Sequence, residues 1–137
     1  MGMYTEIKVD CIVRPVDQVS LDALRIMFDW PGPGSHSPRQ CSIASSFSPP
    51  DAPLFRCARW HSIGRCGSAY FDAEPSSKME DLGDGTWRIT SISNLKNYDD
   101  EIGKFFDWLR PMVVGIAGQV IGHQWYEQER HPTEVRL

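Results

Sequence analysis

The sequence predicts an α+β domain: an antiparallel sheet with two helices on one face. Three observations carry that class. Short runs of alternating apolar and polar residues recur along the chain, bounded by Gly, Pro or Asn. Two other stretches repeat apolar residues at helical spacing. The resulting order, β-α-β-β-β-α-β-β, joins hairpins through helices, as antiparallel sheets with a helical layer do. A ferredoxin-like core with extra C-terminal strands is the specific topology it suggests.

The first strand covers residues 5–14. Ile7, Val9, Cys11 and Val13 fall on one side, with Glu6, Lys8, Asp10 and Arg14 on the other. Cys11 on the apolar side reads as a small core residue. Pro15 ends the strand, and Asp17 or Ser20 can cap the next element. Leu21, Leu24, Met27 and Phe28 then mark one side of a helix, which Pro31-Gly32-Pro33-Gly34 stops. Residues 31–53 form a Pro/Ser-rich insertion, expected as loop. A short helical turn is expected at Phe55 to Trp60. Strands are expected at Ser68 to Ala73 and Ser77 to Leu82, and Gly83-Asp84-Gly85 supplies a hairpin turn. Thr86 to Ser93 is rich in β-branched residues and reads as the central strand.

The second helix is expected from Tyr98 to Arg110, with Asn97 or Asp99 as N-cap. Ile102, Phe105, Phe106 and Leu109 make its apolar stripe, and Glu101, Lys104 and Asp107 face outward. Trp108 lies off the stripe, where it would cover a sheet edge or meet a partner. Pro111 ends or kinks the helix. Val120 to Gln128 reads as a strand with Trp125 and Tyr126 on opposite faces, and Thr133 to Leu137 can pair back on it.

At 137 residues, residues 1–137 form one domain large enough to bury a core. Five Trp place the chain among folding sequences, since disordered ones are poor in aromatics. A formal charge of −4 argues against broad nucleic-acid binding, which needs a basic face. No apolar run reaches the ~20 residues of a membrane span, and the first residues do not read as a signal peptide. A cytosolic protein with four reduced Cys is the expectation.

No motif names a reaction. His36, Cys41, Cys57, His61 and Cys66 crowd one region, and Cys57-x-x-x-His61 could put two metal ligands on one helical face. The paired spacings of zinc sites are missing, so the thiols and imidazoles read as ordinary. There is no nucleophile elbow, phosphate-binding Gly loop or His-Glu-x-x-His. Asp99, Asp100, Glu127 and Glu129 could hold a divalent ion for nuclease chemistry. They are better read as helix-start charges and the solvent side of an edge strand. The binding candidates are Arg56, Arg59, Trp60, Arg65, Asn94, Lys96, Asn97 and Tyr126. Their cations, amides and flat rings suit an anionic, base-containing ligand, and Arg and aromatic residues are equally the hot spots of protein interfaces. Among these, Lys96 and Asn97 would converge with an Arg from 56–65 if a small-ligand pocket exists.

Three stretches share a further property. Met1-Gly2-Met3-Tyr4-Thr5-Glu6, then Asn94-Leu95-Lys96-Asn97-Tyr98-Asp99-x-Glu101-Ile102 with Phe105-x-x-Trp108-x-x-Pro111, then Ile121-Gly122-x-x-x-Tyr126-Glu127 with Pro132-Thr133, together resemble a group of small tailed-bacteriophage proteins of unknown function. The resemblance spans both ends and roughly the second half, and it carries no catalytic residue across. It implies a phage-encoded accessory protein acting in the host cytoplasm. The expectation is a non-enzymatic protein that binds and neutralises a host defence component, a host protein first. The alternatives are a binder or sponge for an anionic, nucleotide-like ligand and a metal-dependent nuclease. No cofactor and no membrane contact are expected, and homo-oligomerisation stays open.

Overall fold

A computed structural model describes residues 4–28, 47–64 and 76–137. Arg65, His36, Cys41, Cys66, the expected strand at 68–73 and residues 31–46 of the Pro/Ser-rich segment lie outside them. The described elements are β1 (Thr5–Val13), α1 (Gln18–Phe28), two 3-10 turns (Pro53–Arg56 and Trp60–Ser62), β2 (Ser76–Asp81), β3 (Trp87–Leu95), α2 (Glu101–Leu109), a 3-10 turn (Arg110–Met112), β4 (Val120–Tyr126) and β5 (Thr133–Arg136). The five strands form one antiparallel sheet in the order β2-β3-β1-β4-β5. The chain adopts the α+β class, with two helices and an antiparallel sheet among the described residues. The middle strand is β1, not the 86–93 stretch; β3 lies beside it. Among the described residues the order of helices and strands from β1 to β4 is β-α-β-β-α-β, and β5 extends the sheet beyond β4.

The alternation in β1 sets the two faces. Ile7, Val9, Cys11 and Val13 are buried, and across β3 so are Ile89, Ser91, Ser93 and Leu95. Both helices cover this face. The Ser77 hydroxyl on β2 donates to the Phe28 carbonyl at the end of α1 (2.6 Å). On β4, Gly122 lies under the Phe106 ring of α2; a Cβ there would come within 2.8 Å of that ring. The helices meet each other through Phe28 and Phe105, whose ring centroids are 5.8 Å apart. Ile102, Phe105, Phe106 and Leu109 are all buried, as their spacing predicts.

The 3-10 turns lie over the same layer. Gly64 is required where they approach α1, because any Cβ would strike the Met27 carbonyl. The Ser93 hydroxyl donates to the Ile63 carbonyl and ties this segment to β3. Trp108, off the apolar stripe, is half-buried. It packs edge-on against Phe55 at 5.1 Å, which clamps α2 to the first 3-10 turn.

Several local details answer backbone demands. Asp17 caps α1 by accepting the Ser20 N–H at 2.8 Å. That bond holds the Asp17 carboxyl below the usual carboxylate range. Burial, with Asp10 beside it, pushes the Cys11 thiol up to about 12, so it is a protonated core residue. The β2–β3 turn carries Gly83 and Gly85 at φ of 92° and 84°, conformations glycine adopts without strain. Glu6, expected on the solvent side, is fully buried.

Candidate binding surface at the β3–α2 junction

Register brings distant parts of the chain to one end of the sheet. Thr5 at the start of β1 lies opposite Leu95 at the end of β3 and Tyr126 at the end of β4. Tyr4, Lys96 and Asn97 therefore gather there, next to Asn94, which faces Glu6 across the strands. The chain then turns tightly, with the Tyr98 N–H donating to the Lys96 carbonyl at 2.9 Å. Such a three-residue turn is common at strand ends.

Helix α2 starts later than periodicity suggests, at Glu101 and not at Tyr98. Asp100 adopts a left-handed conformation with φ of 54°, which Asp tolerates better than most residues and which delays the first helical turn. The Asn97 side chain still serves as a cap: its Oδ1 accepts the Ile102 N–H at 3.0 Å. Glu101, expected to face outward, is 1% exposed. Its Oε1 accepts the Asp99 N–H at 2.8 Å, a backbone donor just ahead of the helix. Its Oε2 is buried without a hydrogen-bond partner.

Two cation–ring pairs sit at this junction. The Lys96 ammonium lies 5.4 Å from the Tyr4 ring centroid. The Arg59 guanidinium, from between the two 3-10 turns of residues 53–62, lies 5.4 Å from the Tyr98 ring centroid. The rings are open to solvent: Tyr4 is 41% and Tyr98 61% exposed. Neither tyrosine stands out in the sequence. Tyr4 and Lys96 are neighbours only through the β1–β3 register.

The other expected site residues are placed differently. Arg56 is exposed and paired with Asp51 at 3.4 Å. Trp60 is half-buried in an aromatic cluster, with the Phe55 ring 5.0 Å and the Phe47 ring 5.7 Å away. The Asn97 oxygen is spent on α2. Tyr126 is half-buried beside Thr5. So Arg59, Asn94, Lys96, Asn97 and Tyr126 share one end of the molecule, while Arg56 and Trp60 serve the 3-10 segment.

A separate open cleft of about 210 Å³ lies between α2 and the β4–β5 edge, lined by Gly103, Phe106, Asp107, Arg110, Gln124 and residues 134–136. Its arginines are engaged. Arg110 donates to Asp107 (2.8 Å) and to the Arg136 carbonyl (3.1 Å). Arg136 donates to Glu134 and to the Gly118 carbonyl. Cys57 is buried, with the Lys104 ammonium 3.7 Å from its sulfur. Among the described residues, no three His, Cys, Asp or Glu side chains are grouped to hold a metal ion. No described helix is long and apolar enough to cross a membrane. No protein-family model, curated protein or solved structure matches the chain.

Proposed function

We propose that this is a non-enzymatic, phage-encoded accessory protein that binds and neutralises a host defence component, a protein of the bacterial cytoplasm. We read its frame as a ferredoxin-like core extended by β5. The working surface is the β3–α2 junction. One observation supports this most: two solvent-open tyrosines at one end of the sheet, each with a cation over its ring. Tyr and Arg anchors with little side-chain entropy left to lose are the usual centre of a protein interface. The nucleotide-sponge reading has less support, because Asn97 and Arg56 are committed elsewhere.

The test is retention of a host protein by the immobilised chain from bacterial lysate. Wild type is expected to hold one partner near stoichiometry. A Tyr4→Ala/Tyr98→Ala double variant, confirmed folded by circular dichroism, is expected to lose it. Equal retention by the two, or no specific partner at all, would sink the reading.

A further inference from the structure

We infer that the β3–α2 junction reads an acidic segment of its protein partner, with Arg59 and Lys96 meeting the carboxylates. The inference rests on the binding reading above and adds the partner's chemistry to it.

Two kinds of cation stand out in this protein. Arg25, Arg56, Lys78, Arg88, Arg110 and Arg136 each have a carboxylate at ion-pair distance. Arg59 and Lys96 have none among the described residues and rest over tyrosine rings. Shortage of acids is not the reason, since the chain has 18 Asp and Glu against 14 Lys and Arg. Of the acids that follow Lys96, Glu101 is turned inward, while Asp99 and Asp100 are exposed. Glu101 reaches back to the Asp99 N–H, and the Asp100 carboxylate lies against the Gly103 backbone. A cation over a ring keeps its N–H groups available, because the ring face takes the charge without filling the donors. The stacking also restricts the long side chain before any partner arrives, which lowers the entropy cost of binding.

An Arg presents a fork that fits a carboxylate with two parallel bonds, and Lys adds a point charge beside it. A tight turn sets Lys96 two residues from Tyr98, whose ring carries Arg59, and two cations so placed suit a short acidic stretch. They do not suit nucleic acid, which needs a long basic face that a chain of net charge −4 does not offer. The exposed rings of Tyr4 and Tyr98 would contact apolar residues interleaved with those acids.

The experiment uses fluorescein-labelled peptides of one length with alternating Glu and Leu, Gln and Leu, or Lys and Leu. Binding is read by anisotropy, and the contact surface by amide chemical shifts. The Glu peptide is expected to bind, to move the amides of Arg59 and of residues 96–98, and to weaken with added salt. Arg59→Gln and Lys96→Gln are each expected to weaken it about tenfold, the loss of one charge-assisted bond. Both variants are expected to keep their melting temperatures to within the few degrees that loss of one exposed cation–ring pair allows, which would show that the loss is local. Equal binding of the Gln peptide, unchanged affinity in the two variants, or displacement of the Glu peptide by an oligonucleotide of equal charge overturns the inference. A lysate partner that depends on Tyr98 but ignores Arg59→Gln and Lys96→Gln also overturns it while leaving the binding reading intact. Loss of Tyr98-dependent retention altogether would instead sink the binding reading.

Discussion

The cleft between α2 and β5 and the junction between β3 and α2 both carry two cations, yet they handle charge in different ways. In the cleft, Arg110 and Arg136 are each locked to a carboxylate and a backbone carbonyl. The Arg110 bond to the Arg136 carbonyl holds the β5 edge to the end of α2, and the buried Phe106 ring over Gly122 lines the cleft. At the junction, Arg59 and Lys96 hold no acid among the described residues, although Asp99 and Asp100 are exposed close by in sequence. The difference teaches that concavity alone is a poor guide to a site here. The cleft is a recess of about 210 Å³, but its polar groups already satisfy one another. The junction offers unspent donors on exposed rings.

The largest effect that separates the regions is on stability. Phe106 is 2% exposed and packs on Gly122, so Phe106→Ala is expected to cost about 3–5 kcal/mol. Chemical denaturation would show this as a fall in midpoint with little change in slope. A loss below ~1 kcal/mol would mean that the cleft floor is not part of the core, and the comparison would fail at its scaffold side.

Within the junction, neighbours should divide the same way. Asn97→Ala removes the acceptor of the Ile102 N–H and is expected to cost about 1 kcal/mol. Lys96→Gln touches no backbone group and is expected to stay within about 0.5 kcal/mol, since surface changes away from such features usually do. Its cost should appear only in partner binding. Equal losses of stability for both, with binding unchanged for Lys96→Gln, would make the whole junction scaffold.

How far these roles are legible in the sequence depends on the range of the contact. The buried faces of β1 and α2 are legible because alternation and helical spacing are local patterns that tertiary packing does not override. The late start of α2 is not, because it turns on Asp100 entering a left-handed conformation that Asp tolerates but does not require. Residue type places Glu6 and Glu101 outward, as acids usually are; Glu101 is buried because it returns to a backbone N–H that the helix cannot satisfy. Lys96, Asn94 and Arg59 are nameable as candidates from residue type alone. That Tyr4 lies under Lys96, or Tyr98 under Arg59, depends on register and on the fold of residues 47–64, which no short window encodes.

Carboxylates can be sorted as spent or unspent too, and pH reports on this. Asp17 is spent on the Ser20 N–H, and that bond lowers its pKa. A group whose folded pKa is depressed adds stability above its unfolded pKa and loses it as pH falls through the folded value. Wild type is therefore expected to melt higher than Asp17→Ala at neutral pH, with the gap closing below about pH 4, the ordinary Asp range. In Asp17→Asn a neutral oxygen still accepts the N–H, so part of the acid sensitivity should disappear while the cap remains. A gap between wild type and Asp17→Ala that stays constant from neutral to acidic pH would show that the carboxylate charge plays no part in the cap.

The smallest effect bears most directly on the comparison, because it asks what holds each cation. Arg110 and Asp107 are an exposed i, i+3 pair, with a coupling expected near ~0.3–0.5 kcal/mol and screened by salt. Arg59 and Tyr98 should couple by about 0.5–1 kcal/mol, the range for exposed cation–ring pairs. Double-mutant cycles for both pairs, run at low and high salt, give the two numbers on one scale. If the ring holds Arg59, Tyr98→Phe keeps the coupling, because the face survives without the hydroxyl, and Tyr98→Leu abolishes it, because only the apolar bulk survives. The ion pair should lose most of its coupling in high salt, whereas the stacked pair, in direct contact with the ring, should lose less. An Arg59–Tyr98 coupling that vanishes in salt as the Arg110 pair does would mean that Arg59 is an ordinary solvated cation. The junction would then differ from the cleft only in that its two cations pair with no acid, and the case for donors held ready there would be gone.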